Sequence, residues 1–155
     1  LKKKAVQKNA GIQRANLVNA GREVSAMAWI ENEFGHVLMV RQAQGNRQWT
    51  LPGGKVRRME PVLTALKREV REETGLSPVD ILLAAIYDRI PRNNLTVLFF
   101  AKLKLGPFEA ERPEEILEVA FKARLPSKAS PSAKYFWEHR RAIQNGSRFS
   151  GAQRS

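Results

Sequence analysis

Gly54–Leu76 reads GKVRRMEPVLTALKREVREETGL, and the rest of the chain is best understood outward from it. The stretch predicts one helix. Glu60 or its neighbour opens it, Pro61 stands where a missing N–H costs nothing, and Gly75 ends it as a C′ residue. Val62, Leu63, Leu66 and Val70 form an apolar stripe roughly 100° wide. Glu69, Glu72 and Glu73 are spaced i, i+3, i+4 and share a face, with Glu73 at the edge of that stripe. Lys67 and Arg71 take the solvent side. Three carboxylates on one face repel one another, whereas a helix built for stability alone sets a glutamate four residues before a lysine. A merely solvated acidic patch would lie opposite the apolar stripe. Here the acids line the border between core and solvent, where a cleft would open, and a divalent cation would neutralise them. An all-oxygen donor set favours Mg²⁺ or Mn²⁺.

Before the helix, Val24, Ala26, Ala28 and Ile30 alternate with Ser25, Met27 and Trp29, which predicts a strand with both faces partly buried. Glu31 to Gly35 reads as a turn and Val37 to Val40 as the returning strand, so the pair is expected to be a hairpin. Trp49 to Leu51 is a short extended piece entering Pro52-Gly53-Gly54. After the helix, Ile81 to Tyr87, Leu95 to Leu105 and Leu117 to Phe121 read as strands, and Pro131 to Ile143 as a closing helix.

A chain of 155 residues suits one ordinary domain. No apolar run approaches the roughly 20 residues of a membrane span. The absence of cysteine excludes disulfides, thiolate metal sites and a cysteine nucleophile, and fits a reducing, cytoplasmic compartment. Leu1 in place of methionine reads as a trimmed start, and Lys2, Lys3 and Lys4 lead into a polar stretch without a signal-peptide pattern. The net charge of +12 is unevenly placed. Residues 1–22 carry +6 and residues 122–155 carry +7, while residues 23–121 hold thirteen basic and fourteen acidic residues. Such ends favour polyanions, RNA among them; solvated, soluble termini are the other reading. The expected organisation is a basic arm over 1–21, a domain over 22–144 and a basic tail over 145–155.

The spacing Gly54, Glu60, Arg68-Glu69-Val70, Glu72-Glu73, Gly75-Leu76 resembles the Nudix box, G-x5-E-x7-R-E-U-x-E-E-x-G-U with U aliphatic, at every defined position. The lead-in Trp49-Thr50-Leu51-Pro52-Gly53-Gly54 and the flanking strands extend the resemblance over most of the chain. It implies an α/β fold, an α/β/α sandwich around mixed sheet with a catalytic loop-helix-loop. It implies hydrolysis of the pyrophosphate bond of a nucleoside diphosphate linked to another moiety X: a nucleoside triphosphate, ADP-ribose or another sugar nucleotide, or a dinucleoside polyphosphate. Glu72 and Glu73 would be the main metal ligands, Glu69 a ligand or general base, and the Gly54 carbonyl a further ligand. Arg68 would orient Glu69, and Glu60 would brace the loop or reach the metal through water. Glu115 is the best match for an acid that many relatives supply beyond the box and Glu114 the second, with a solvated loop acid as the alternative. Glu118 reads as solvated. Homodimers are common in the family.

Within the variable positions, Arg57 replaces a common acid and Met59 a common glycine. Arg57 and Arg58 are candidates for substrate phosphates, with a solvated basic loop as the other reading. Arg41, Asp88 and Arg89 are strand-end candidates. Trp49 reads as core packing, with base stacking as the alternative. His36 is placed in a turn and His139 on a solvated helix face. Two other functions stay in view: removal of 5′ phosphates from RNA, and a non-catalytic module that docks to nucleic acid or the ribosome.

Overall fold

Both faces of Glu23–Trp29 are apolar, and the fold is built around that property. The structure, a computed structural model, describes residues 21–146, so the basic arm and tail lie outside the described residues but for their inner ends. In chain order the elements are β1 (Glu23–Trp29), β2 (Val37–Gln42), β3 (Trp49–Thr50), β4 (Gly53–Lys55), α1 (Val62–Thr74), β5 (Pro78–Arg89), β6 (Asn94–Leu103), β7 (Ile116–Lys122) and α2 (Pro131–Gln144). A 3₁₀ turn, Ile90–Arg92, joins β5 to β6.

The strands form two sheets, β4-β1-β6-β5 and β3-β2-β7. In the first, β1 runs parallel to β6 and antiparallel to β4, so the sheet is mixed. Alternate residues of β1 point to opposite faces. Ala26 and Ala28 join the core beneath α1, with Leu38, Leu66, Val70 and Phe99. Trp29 joins the core beneath α2, with Met39, Trp49, Leu51, Leu98 and Phe136. Helices therefore cover both sides of the strands, giving the sandwich expected from the sequence. Among the described residues no helix is long and apolar enough to cross a membrane.

The expected hairpin of β1 and β2 does not form. The turn exists, with Asn32 N–H donating to the His36 carbonyl at 3.0 Å. Pairing then stops at a single bridge, Glu31 to Val37. Beyond it the strands diverge, because β1 satisfies both its edges with β4 and β6 while β2 pairs with β3 and β7.

The stripe on α1 also differs from expectation. Leu63 is 48% exposed, and Ala65 and Thr74 are buried alongside Leu66 and Val70. Fully burying Leu66 and Val70 contributes roughly 1.5–3 kcal/mol each, which holds α1 against the sheet. Pro61 is the N-cap, and its carbonyl accepts the first helical N–H, from Ala65 at 3.0 Å. Gly75 ends the helix at φ 76°, donating to the Arg71 carbonyl.

Candidate active site

The strand β4 and the helix α1 meet at two glycines. Gly53 sits at φ +136°, and a Cβ there would lie 2.2 Å from the Ala26 carbonyl oxygen. Gly54 has no such strain, but a Cβ on it would lie 2.6 Å from Cδ of Glu69. Glycine at both positions lets the strand pass close enough to touch the helix acids. Gly53 N–H then donates to Glu73 Oε2 at 2.8 Å.

Glu73 is 8% exposed, deeper than the edge position read from the sequence. Burial pushes its carboxyl well above the usual range, and the charges of Glu69, Glu115 and Glu72 push the same way, against the Gly53 bond. Its other oxygen has no hydrogen-bond donor among the described residues.

Arg68 organises the remaining acids. Its Nε and Nη2 donate to the two oxygens of Glu60 at 2.8 and 2.9 Å, a bidentate pair. Nη1 donates to Glu69 Oε1 at 2.6 Å and lies 3.4 Å from Glu72 Oε2. Nη2 also reaches the Lys55 carbonyl at 3.1 Å. Glu60 accepts the Arg57 N–H at 2.9 Å as well, so it ties the loop to the helix. The Arg68 bonds first, and the Arg57 N–H second, hold the Glu60 carboxyl down at about 2. The same pairing pushes Arg68 further up, keeping it cationic.

The loop after β6 is fastened to the open end of α1. Glu109 N–H donates to the Thr74 carbonyl at 3.0 Å, and Glu111 N–H to the Glu72 carbonyl at 2.8 Å. These bonds satisfy carbonyls that a helix end leaves free. They also set Arg112 over the acids. Its Nη2 lies 3.3 Å from Glu72 Oε1 and its Nη1 3.4 Å from Glu115 Oε1. Glu115 and Glu73 line one cavity of about 280 Å³ with Gln42, Gln44 and Ile116. Arg112 was not singled out from the sequence. An isolated cation in a loop has no periodicity to reveal it, and only the fastening of the loop to α1 brings it here.

The structure thus gathers Gly54, Glu60, Arg68, Glu69, Glu72, Glu73 and Glu115 at one end of the sheets. Arg57 joins them at the edge, its Nη2 3.9 Å from Glu72. Arg58 is exposed and makes no ion pair among the described residues. Arg41 lies on β2 between Trp49 and Glu118, and its Nε is buried without a hydrogen-bond partner. Glu118 is exposed and paired with Lys122. Asp88 pairs with Arg22, and Arg89 lies opposite Asn94. Trp49 is buried beneath Lys122, whose Nζ is 3.9 Å from the ring centroid. His36 lies in the turn, its N–H donated to Asn32 Oδ1, and His139 Nδ1 lies 2.8 Å from the Tyr135 carbonyl oxygen within α2.

As they stand, no three of the carboxylates among the described residues converge closely enough to chelate a metal. Their chemistry nevertheless fits a hard divalent cation: every donor is oxygen, and Glu73 is buried with one oxygen to spare. Arg112 spans Glu72 and Glu115, and Arg68 spans Glu69 and Glu72, so cationic side chains supply the charge that holds these acids together.

An acid-lined helix fastened to a glycine strand at the end of a mixed sheet defines a member of the Nudix class. Residues 21–145 match the NUDIX domain family, and the chain belongs to it. The MutT Nudix hydrolase of Burkholderia pseudomallei is similar in structure, with a TM-score of 0.67 and 26% identity over 75% of this chain and 95% of that one. In sequence, the chain is 35% identical over 109 residues to the 8-oxo-dGDP phosphatase NUDT18 of Danio rerio, covering 66% of this chain and 33% of that protein. It is 46% identical over 52 residues to the RNA pyrophosphohydrolase of Halorhodospira halophila, covering 34% of this chain and 28% of that protein. The chain therefore spans about a third of the length of these two relatives.

Proposed function

We propose that this domain hydrolyses a phosphoanhydride bond of a small nucleotide, with Mg²⁺ or Mn²⁺ as cofactor. The arrangement that carries the reading is Glu73 pinned by Gly53 and Arg68 held between Glu60 and Glu69. A divalent cation held by Glu69, Glu72, Glu73, the Gly54 carbonyl and Glu115 would neutralise phosphate oxygens and lower the pKa of an attacking water. Glu69, steadied by Arg68, would take a proton from that water. Glu60 keeps the loop and Arg68 in register. Arg57, Arg58 and Arg41 are the cations that would meet the phosphates. Phosphoryl transfer needs chiefly positioning and charge neutralisation, so no covalent nucleophile is required.

Among the candidates for X, the likeness to an 8-oxo-dGDP phosphatase puts purine nucleoside di- and triphosphates first. A panel of these, ADP-ribose, dinucleoside polyphosphates and 5′-triphosphorylated RNA, with Mg²⁺ or Mn²⁺ at slightly alkaline pH, tests the reading. Hydrolysis of one class, lost in Glu72→Gln, is the expected result. Silence across the panel overturns it.

A second reading, 5′-end trimming of RNA, is favoured by the basic ends and by the likeness to an RNA pyrophosphohydrolase. It predicts a steep loss of substrate affinity with salt, as phosphate contacts release counterions. A non-catalytic module is disfavoured, because a mere binder gains nothing from the crowded acids. A nucleotide or RNA substrate fits a cytoplasmic location. Leu82, Leu83 and Ile86 stand exposed on β5, at the edge of its sheet, and are the surface that a homodimer would cover. Sedimentation of Leu83→Asp against the parent chain tests that part.

A further inference from the structure

We propose that the face of α1 turned away from the carboxylates is a second anion site, one that takes the phosphoryl groups of a polyphosphate or of a single-stranded nucleic-acid backbone. Thr64, Lys67 and Arg71 recur at i, i+3 and i+7, so they form one stripe along the helix; Arg68 borders it, with its guanidinium committed to Glu60 and Glu69. Across from them lie Ser77, Pro78 and Val79, where β5 begins, and Lys104, just past β6. Together these residues line a cavity of about 490 Å³.

Every ionisable group in that lining is cationic, and two hydroxyls accompany them. Composition does not explain this, since acidic residues slightly outnumber basic ones between residues 23 and 121. Three other exposed lysines are matched, Lys55 with Glu23, Lys102 with Asp80 and Lys134 with Glu138, while exposed Lys128 makes no ion pair among the described residues. Lys67 and Lys104 make no ion pair among the described residues. Arg71 is paired at 3.1 Å with Glu111, an acid outside the lining. Lys67 and Arg71 are like charges four residues apart, an arrangement that weakens a helix. An anion seated between the two walls offsets that repulsion, as a cation does for the acids on the other face.

The character of the lining narrows the ligand. No aromatic side chain lines the groove, so it offers no platform on which a base could stack. Seven residues of helix rise about 10 Å, room for more than one phosphoryl group. Charge is therefore what the groove reads, and base identity is not.

The site is independent of the hydrolytic reading, because binding can be followed without a divalent cation. The experiment is an amide NMR titration of the full chain in EDTA, with tripolyphosphate in one arm and a 5′-hydroxyl single-stranded oligonucleotide in the other. The parent chain is compared with a Lys67→Gln/Lys104→Gln double variant and with Lys134→Gln as control. Shifts at Lys67, Arg71, Ser77 and Lys104 are expected, with at least a tenfold loss of affinity in the double variant and none in the control. Loss of two contacts lowers the salt slope for the oligonucleotide by about 1.4. A response to tripolyphosphate alone identifies a free polyphosphate as the ligand, and a response to both identifies the phosphodiester chain. Turnover of a mononucleotide stays unchanged in the double variant. Equal affinity and slope in parent and double variant, or shifts confined to other surfaces, overturns the proposal.

Discussion

Gly53 donates its backbone N–H to Glu73 Oε2 at 2.8 Å, linking a strand to a helix twenty residues later. That bond holds a buried carboxylate beside Glu69, Glu72 and Glu115, whose charges oppose it. It requires a backbone at φ +136°, where an added Cβ would lie 2.2 Å from the Ala26 carbonyl oxygen. Gly53→Ala must therefore shift β4 away from β1. A loss of about 2–4 kcal/mol is expected from strain and lost pairing, read as a fall in Tm of roughly 5–15 °C. An unchanged Tm would mean that β4 has room the structure denies it.

Glu73→Gln separates stability from activity. The isosteric amide keeps an acceptor for Gly53 N–H and removes the charge whose burial raises the carboxyl pKa. At neutral pH without metal, the variant is expected to unfold about 2–4 °C higher, an effect on the order of 1 kcal/mol. Turnover is expected to fall by at least a hundredfold. A lower Tm in the metal-free variant would show that the carboxylate stabilises this end of the fold by itself.

The Glu60–Arg68 pair gives a pH dependence with a defined sign. The folded pKa of Glu60 is lowered from 4.5 to about 2, chiefly by Arg68 and then by the Arg57 N–H. Its ionised form therefore contributes stability that is present above pH 4.5 and is lost as pH falls toward 2. Stability measured across that window is expected to decline less steeply in Glu60→Gln than in the parent chain. Equal slopes would remove Glu60 from the account.

Arg112 competes for the acids that a metal would use. It lies 3.3 Å from Glu72 and 3.4 Å from Glu115. Arg112→Ala is expected to tighten Mn²⁺ binding several-fold, measured by titration of the resting protein, because no cation then has to leave. Weaker binding would assign Arg112 to holding the ligands in place.

The helix and its acids were legible in the sequence because α-helical periodicity, Pro61 and Gly75 all specify the same element. The sheets were less so. A short turn between two apolar runs looks like a hairpin, yet β1 pairs with β4 and β6 and leaves β2 a single bridge. Strand partners depend on long-range edges that local alternation does not encode. Leu63 misled for a related reason: it neighbours the stripe in angle, and only the docking of α1 decides that Ala65 faces inward and Leu63 outward. Most of the clustered acids sit in one regular element, so their grouping was readable; Arg112 depended on a loop and was not.

Met59 tests the loop that carries Arg57 and Glu60. It stands at φ +62° and is 93% exposed, so its side chain gains little from packing in return for a left-handed backbone. That conformation costs a non-glycine residue about 1–2 kcal/mol. Glycine relieves the strain but loses about 0.4–1 kcal/mol to the entropy of the unfolded chain. Asparagine tolerates the conformation without the full entropic loss. A β-branched residue tolerates it least. Met59→Gly and Met59→Asn are therefore expected to raise Tm by about 1–3 °C, and Met59→Val to lower it. Thermal unfolding of the three variants beside the parent chain decides the matter. A valine variant as stable as the parent would show that position 59 does not hold the left-handed backbone, and with it the turn that places Arg57 N–H on Glu60.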